Sequence, residues 1–155
     1  MSNSKISATY EELEALYRNF AGDGWTHRDH WLNRSVSYCD WYGITCESDG
    51  GSRANGSTTA LRVQQIVFVN NNLRGHLVPN TFGTHLSESL LFIDIVAHPH
   101  ITGTLPPEWS AMTQLQRLSL YQNSLTGPLP VEWKAWTQLQ YLSLFKNSLT
   151  GPLPV

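Results

Sequence analysis

Two nearly identical segments near the end of the sequence restrict the fold more than any other feature. LQRLSLYQNSLTGPLP begins at Leu115, and LQYLSLFKNSLTGPLP begins 24 positions later, at Leu139. The segments differ only at three pairs of positions, which are Arg117/Tyr141, Tyr121/Phe145 and Gln122/Lys146. A fixed period of roughly 20 to 50 residues indicates stacked structural repeats, because each repeat buries its apolar side only against its neighbours. The sequence therefore predicts a solenoid.

The same spacing of apolar residues continues upstream. Each repeat follows the pattern L-x-x-L-x-L-x-x-N-x-L, which is typical of leucine-rich repeats. The strand and turn positions that fit are Val63, Ile66, Phe68, Asn71 and Leu73, then Leu90, Ile93, Ile95 and Ile101, then Leu118, Leu120, Asn123 and Leu125, and finally Leu142, Leu144, Asn147 and Leu149. We expect about four repeats over residues 61–155, the last one truncated. Their strands would form a parallel concave sheet, opposite a mostly irregular convex side.

The second repeat needs one extra residue, which we place within Ala97–His100. A strict 24-residue frame would instead turn Asp94 inward among leucines, and a buried unpaired carboxylate is costly. His98 takes the position that asparagine has in the other repeats. Those asparagines are expected to form a ladder of amide bonds to backbone groups of adjacent coils, at Asn71, Asn123 and Asn147. His98 is the point where this ladder can be interrupted.

Residues 1–60 have a different periodicity and predict an N-terminal cap. Thr9 and Glu12 match a capping box, and apolar residues then follow at helical spacing until Gly22. The tryptophan-rich segment that follows ends in YCDWYGITC, and the next segment, ESDGGSRANGSTT, predicts a flexible loop or a wide hairpin. A cap is expected because the first coil of a solenoid would otherwise expose an apolar end to water.

These features together resemble extracellular leucine-rich repeat proteins with a paired-cysteine N-terminal cap. The resemblance rests on the N-terminal helix, the CDWYGITC segment and the repeats, and it covers about residues 8–155. Plant receptor-like proteins share the LTGPLP type of repeat, while LPPEWSAMTQLQRLSL and LPVEWKAWTQLQYLSL look most like segments of trypanosomatid surface antigens. The resemblance implies a secreted or surface-anchored recognition module, located outside the cell or on its surface.

Cys39 and Cys46 have alternative explanations. A redox pair is disfavoured, because redox motifs use C-x-x-C and six residues separate these two cysteines. In an extracellular protein, as the resemblance implies, they would form a structural disulfide that fixes the cap and contributes roughly 2 to 3 kcal/mol. In a reducing compartment they would be free thiols.

Two glycosylation acceptor patterns lie in segments that are predicted to be loops. They begin at Asn33, in Asn33-Arg34-Ser35, and at Asn55, in Asn55-Gly56-Ser57. Such short patterns also arise by chance in solvated polar loops. The sequence therefore predicts two candidate glycosylation sites with an ordinary surface loop as the alternative.

Charge and hydropathy disfavour several classes of partner. The formal net charge is −2 and no run of Lys or Arg occurs, so we expect no nucleic-acid partner. No segment approaches the roughly 20 apolar residues that cross a bilayer, and the first residues lack the apolar region of a secretory signal. A membrane link is therefore expected only through an anchor that this chain does not contain. Because the chain stops at Val155 within a coil, we expect a fragment, or an end that pairs with another element.

Catalytic and metal-binding patterns are incomplete. The histidines of HRDH (27–30) and HPH (98–100) do not complete a ligand set with the spacing of a zinc site. No nucleophile, base and orienting group converge in the predicted fold. We therefore expect no cofactor, no bound metal, no small-molecule substrate and no enzymatic activity.

The outward strand positions form the predicted binding face. Side chains alternate along a strand, so these positions point to the concave side: Gln65, Val67, Val69, Phe92, Asp94, Val96, Arg117, Ser119, Tyr121, Tyr141, Ser143 and Phe145. Two of the three differences between the near-identical repeats fall on this face, and the third lies at its rim. Surface drift would favour polar residues, whereas this face carries an apolar and aromatic stripe of the kind that marks interaction sites. We therefore predict non-catalytic binding of a protein or peptide, with a structural spacer or surface-coat protein as the alternative.

Overall fold

The computed structural model describes residues 3–47, 61–78 and 81–152. These residues contain two α-helices, α1 (Asn3–Asn19) and α2 (Thr84–Ser87). Their strands are β1 (Ile44–Glu47), β2 (Arg62–Val69), β3 (Arg74–His76), β4 (Phe92–Val96), β5 (His98–Thr104), β6 (Arg117–Ser119), β7 (Asn123–Gly127), β8 (Tyr141–Ser143) and β9 (Ser148–Leu149). Short 3₁₀ turns are formed by Gly22–Gly24, Tyr38–Asp40, Pro107–Ala111 and Val131–Ala135.

The strands form two sheets that run along a stack of coils. The first sheet has the order β1-β2-β4-β6-β8, and its last four strands are parallel, one from each coil. The second sheet has the order β3-β5-β7-β9 and is parallel throughout. The parallel concave sheet agrees with the sequence prediction. The second sheet was not predicted, because its strands follow the asparagine turn and carry no run of alternating apolar residues.

β1 is the exception to the parallel arrangement. It pairs antiparallel with β2, so that Ile44 lies opposite Ile66 and Cys46 lies opposite Val63. The segment that joins the two strands was predicted to be a flexible loop or a wide hairpin, and its residues 48–60, which include the candidate glycosylation site Asn55, lie outside the described residues.

Helix α1 begins earlier than its capping-box pattern predicted. Thr9 lies inside the helix, where its hydroxyl donates to the carbonyl oxygen of Lys5 at 3.1 Å. The Glu12 carboxylate instead accepts the backbone N–H groups of His85 at 3.0 Å and Leu86 at 2.9 Å, and so caps α2. The capping-box prediction is therefore wrong, because a distant partner takes the carboxylate that the pattern assigned to the start of α1.

An aromatic cluster joins the cap to the first coil. The Trp25 ring lies 5.0 Å from that of Trp31 and 4.8 Å from that of Phe68 in β2, centroid to centroid. Trp31 also packs on Trp41 at 4.9 Å, and Phe68 is completely buried. Large tilted ring pairs of this kind bury much apolar area at defined geometry. The cap thereby covers the apolar end of the first coil, as a solenoid requires.

The second repeat has a register irregularity that overlaps the predicted position, Ala97–His100. His98 lies opposite Asn123 and Thr102 lies opposite Ser124, so β5 advances four residues where β7 advances one. The irregularity is therefore larger than the single extra residue that was predicted. Ala97 has a φ of 62°, so the chain turns sharply between β4 and β5. Asp94 consequently points outward and avoids the leucine core.

His98 continues the asparagine ladder. Its Nδ1 accepts the backbone N–H of Leu73 at 3.3 Å, and its Nε2 donates to the carbonyl oxygen of Phe68 at 3.1 Å. Asn147 makes the corresponding pair of bonds to the coil before its own. Its Oδ1 accepts the N–H of Leu125 at 3.0 Å, and its Nδ2 donates to the carbonyl oxygen of Leu120 at 2.8 Å. The histidine therefore substitutes for an asparagine, and an interruption of the ladder does not occur.

The ladder starts at the cap. Asn71 accepts the backbone N–H of His27 at 2.6 Å and donates to the carbonyl oxygen of the same residue at 2.8 Å. Its side chain is completely buried. The first rung therefore fixes the cap to the first coil in the way that later rungs fix one coil to the next.

The neutral ring of His98 should make folding stability depend on pH. Burial lowers the pKa of this ring below its ordinary value, and the bond to the Phe68 carbonyl offsets the effect only in part. The unfolded chain therefore binds a proton below pH about 6.5 while the folded chain does not, so the stabilisation is complete above that pH and is lost as the pH falls toward the folded pKa.

We expect the wild-type free energy of unfolding to fall more steeply from pH 7 to 5 than that of His98→Asn, by at most about 1.4 kcal/mol per pH unit. Urea denaturation of both proteins at several pH values measures this difference. The variant keeps a ladder residue, and the other five histidines are common to both proteins. Parallel stability curves would contradict the expectation.

Candidate functional site

The concave face places the predicted residues in three columns that cross the first sheet. Residue pairing between neighbouring strands aligns the first column, which is Gln65, Phe92, Arg117 and Tyr141. The second column is Val67, Asp94, Ser119 and Ser143. Val69 and Val96 pair in the third column, which continues just beyond the strands with the stacked rings of Tyr121 and Phe145. The structure therefore brings all twelve residues onto one face.

Exposure differs strongly among these residues. The most exposed side chains are Phe145 at 69%, Val69 at 50% and Tyr141 at 45%. Ser119 lies at an outward position but is only 4% exposed, so it offers almost no surface to a ligand. The remaining eight are half-buried. Exposed apolar surface is thus concentrated along the third column and at Tyr141.

Arg117 is held from two sides by residues of the neighbouring coils. Its Nε lies 2.9 and 3.1 Å from the two carboxylate oxygens of Asp94 in β4. Its guanidinium carbon lies 4.2 Å from the ring centroid of Tyr141 in β8. The hydrogen bond to Asp94 raises the pKa of Arg117 above its ordinary value. Three coils therefore fix one cation, whose two Nη groups make no hydrogen bond to other described residues.

A second aromatic unit lies at the edge of the same face. The rings of Tyr121 and Phe145 stack with a centroid distance of 5.9 Å and an angle of 7° between their planes. The Lys146 ammonium group lies 5.5 and 5.9 Å from these two ring centroids. Its Nζ also approaches the Tyr121 hydroxyl at 3.4 Å. Cation–π contacts of this kind favour a fixed arrangement of side chains.

Lys146 is the residue that sequence reasoning left out of the binding face. In each coil the residue after the last concave-face position has a left-handed backbone conformation, and these residues are Asn70, Ala97, Gln122 and Lys146. This turn directs the side chain to the rim, which is why alternation along the strand did not include it. The signal was present in the sequence, since 122/146 is one of the three differences between the near-identical repeats.

The other predicted sites lie in the cap. Cys39 and Cys46 form a disulfide with a Cα–Cα distance of 5.5 Å, which confirms the structural alternative. It links the 3₁₀ turn Tyr38–Asp40 to β1. Asn33 is exposed, and its side-chain oxygen accepts the N–H of Ser35 at 3.0 Å. Glycosylation at this position stays a prediction.

Within residues 3–47, 61–78 and 81–152, no three His, Cys, Asp or Glu side chains are grouped closely enough to hold a metal ion. None of the helices in this part of the chain has the length and apolar character needed to cross a membrane.

Comparison with known protein families gives two matches. A leucine-rich repeat N-terminal domain model matches residues 15–47, and a leucine-rich repeat model matches residues 114–136. The first match contains both cysteines of the disulfide. No curated protein sequence matches the chain.

Several solved structures are similar to this one. The PEPR1-AtPEP1 structure is 24% identical, with a TM-score of 0.73, and the match covers 96% of this chain and 19% of that chain. The ectodomain of the receptor kinase SOBIR1 from Arabidopsis thaliana is 24% identical, with a TM-score of 0.67, and the match covers 96% of this chain and 71% of that ectodomain chain. A plant ice-binding protein is 23% identical, with a TM-score of 0.71, and the match covers 94% of this chain and 42% of the ice-binding protein.

These matches establish the leucine-rich repeat fold, which confirms the fold class predicted from the repeats. The chain spans about a fifth of the length of the PEPR1-AtPEP1 chain that it matches. The similar structures named here come from plants, so the resemblance to trypanosomatid surface antigens stays a prediction.

Proposed function

We propose that this leucine-rich repeat chain is a non-catalytic recognition module that binds a protein or peptide on its concave face. The observation that carries the proposal is the continuous apolar and aromatic surface formed by Val69, Val96, Tyr121 and Phe145, with Tyr141 beside it. Exposed apolar surface of this extent on a parallel sheet favours a partner that covers it. Tyrosine and arginine are also the residues that most often dominate binding energy at interfaces.

The fixed side chains support the same proposal. Arg117 is held between Asp94 and Tyr141, and Lys146 lies over the rings of Tyr121 and Phe145. Association normally loses free energy when interface side chains become ordered, and side chains that are already ordered reduce that loss. The free Nη groups of Arg117 are suited to a carboxylate of the ligand, because guanidinium and carboxylate form paired hydrogen bonds.

Fold alone does not decide the function. The similar structures include a receptor kinase ectodomain and an ice-binding protein, and one scaffold often carries unrelated functions. The proposal therefore depends on the side chains of the concave face.

We further propose that the protein works outside the cell or at its surface. The Cys39–Cys46 disulfide supports this location, because disulfides persist in oxidising compartments and are rare in the cytosol. An exposed Asn33 within an acceptor pattern is consistent with glycosylation in the secretory pathway. A surface antigen is one form that such a protein could take.

The test is a peptide selection followed by matched variants. Peptides from a random display library are selected on the wild-type protein, and the affinity of the best of them is then measured for three proteins. We expect the variant Tyr121→Ser, Tyr141→Ser, Phe145→Ser to bind about 30-fold more weakly than wild type, because it removes the apolar surface that the peptide covers.

The matched control is Val131→Ser, which removes a side chain of similar exposure from the convex side and should leave affinity unchanged. Equal binding by wild type and the triple variant would contradict the concave-face proposal. A selection that enriches no peptide would favour the spacer alternative. Thermal unfolding of each variant verifies that the fold is kept.

A further inference from the structure

A groove lies away from the concave face, between α1, α2 and the 3₁₀ turn Pro107–Ala111. Its volume is about 590 Å³. Its lining includes Ala8, Ala15, Glu88, Glu108, Trp109 and Ala111. The small side chains leave space along the groove, and the indole of Trp109 provides apolar surface within it.

The groove exists because the first coil departs from the repeat. Its convex segment has twelve residues (78–89), whereas the corresponding segments of the next two coils have nine (106–114 and 130–138). The longer segment contains α2, which is fixed to α1 by the Glu12 carboxylate through the backbone N–H groups of His85 and Leu86. Phe82 packs on Trp109 with a centroid distance of 5.0 Å. Both walls of the groove are therefore anchored.

The charge on the groove is negative. Glu11, Glu88 and Glu108 line it, and none of them forms an ion pair within the described ranges. Lys5 and Arg62 do not line this groove, but they line a neighbouring cavity that shares Glu88 and His85 with it. Glu108 and Glu11 line only the groove and not that cavity. Unpaired carboxylates beside an apolar surface attract a cationic group that also has an aliphatic part.

Trp109 provides an independent observation. It is only 2% exposed, and its Nε1 has no hydrogen-bond partner in the described part of the chain. The equivalent Trp133, whose ring is parallel to that of Trp109 within 5°, donates its Nε1–H to Pro106 of the preceding coil at 2.9 Å. Trp109 itself lines the groove, and the longer segment of the preceding coil offers its Nε1 no acceptor among the described residues. A donor that lacks its acceptor favours a ligand that supplies one.

We propose that this groove is a second binding site, which takes an extended basic peptide segment. A Lys or Arg side chain of the segment lies between Glu88 and Glu108, with its aliphatic part against Ala111. A backbone carbonyl oxygen of the segment accepts the Trp109 N–H, after a small movement of the side chains that cover it. The site is separate from the concave face and does not depend on the function proposed for that face.

The chain supplies a matched pair of variants for the test. Glu108 and Glu132 occupy the same position in successive coils, but only Glu108 lines the groove. The probe is a fluorescein-labelled basic pentapeptide, Lys-Leu-Arg-Leu-Lys, and its acidic counterpart is Glu-Leu-Glu-Leu-Glu. Fluorescence anisotropy gives the affinity of each peptide for wild type, Glu108→Gln, Glu132→Gln and the double variant Glu88→Gln, Glu108→Gln.

We expect wild type to bind the basic peptide and not the acidic one. The double variant should bind the basic peptide about tenfold more weakly, and Glu132→Gln should differ from wild type by less than about twofold. Binding should also weaken as sodium chloride rises from about 50 to about 500 mM. Equal effects of Glu108→Gln and Glu132→Gln would overturn the proposal, since they would indicate general charge attraction.

A second measurement reports on Trp109 directly. Its indole N–H signal in a proton–nitrogen correlation spectrum is assigned with Trp109→Phe, and it should shift when the basic peptide is added to wild type. An unmoved signal at saturating peptide would overturn the proposed contact. If Trp109→Phe does not fold, the comparison of Glu108→Gln with Glu132→Gln still decides the proposal.

Discussion

Replacing Phe68 by alanine is expected to lower the free energy of unfolding by about 3 to 5 kcal/mol. The Phe68 ring is completely buried and packs on Trp25 at 4.8 Å and on Trp31 at 6.0 Å, so its removal leaves a cavity where the cap meets the first coil. These rings belong to the chain's rigid aromatic cluster, which limits how far the surroundings can collapse into the cavity. Denaturation in guanidinium chloride, followed by tryptophan fluorescence and circular dichroism, measures the loss.

Phe68→Leu is the control for this result. Leucine keeps most of the apolar volume, so the loss should be less than half of that seen with alanine. If alanine and leucine destabilise the protein equally, the effect comes from the specific ring contacts and the cavity explanation is wrong.

Asn123→Ala is expected to lower the free energy of unfolding by about 3 kcal/mol, because one buried amide satisfies three backbone groups. Its Oδ1 accepts the His98 N–H at 3.0 Å, and its Nδ2 donates to the carbonyl oxygens of Ile95 at 2.7 Å and Leu120 at 2.9 Å. Alanine leaves buried donors and acceptors without partners, and water cannot easily reach them. Equilibrium denaturation of wild type and variant gives the difference.

Asn147→Ala is the matched control for the ladder. Asn147 makes equivalent bonds one coil later but is only half-buried, so water can replace part of what the amide provides. We expect its loss to be about 1 kcal/mol. If the two variants lose the same free energy of unfolding, burial does not explain the difference that we expect between them.

The coil core could be predicted from sequence because its signal is local. Ile93, Ile95, Leu118 and Leu120 recur at the spacing that a repeat requires, and all four are completely buried. The outward direction of Arg117 and Tyr141 follows from the same alternation, since neighbouring strands present equivalent positions side by side. A period is therefore sufficient to predict both the core and the columns of the concave face.

Features that depend on long-range partners could not be predicted in this way. The Glu12 carboxylate lies in a convincing capping pattern, yet its partners are more than 70 residues away in α2. His98 departs from the asparagine pattern, but ring geometry lets it make equivalent bonds. Each outcome depends on which backbone groups another coil presents, and no local pattern contains that information.

The candidate site shows the same division. Alternation predicts that Ser119 faces outward, but the side chains around it cover its hydroxyl. The contacts of Arg117 with Asp94 and Tyr141 join three separate coils, so they depend on side-chain lengths in neighbouring repeats. The direction of a side chain depends on its own strand. Its exposure to a ligand also depends on the side chains of the neighbouring coils.

The ladder of buried side chains also has a mechanical consequence. His98, Asn123 and Asn147 each connect their own coil to the coil before it, so tension applied along the chain would break one set of these inter-coil bonds at a time. Each released coil of 24 residues would lengthen the chain by at most about 80 Å. Residues between Cys39 and Cys46 would stay closed by the disulfide and add almost nothing to this extension. A chain of this construction would extend under force in discrete steps, and the segment closed by the disulfide would extend least.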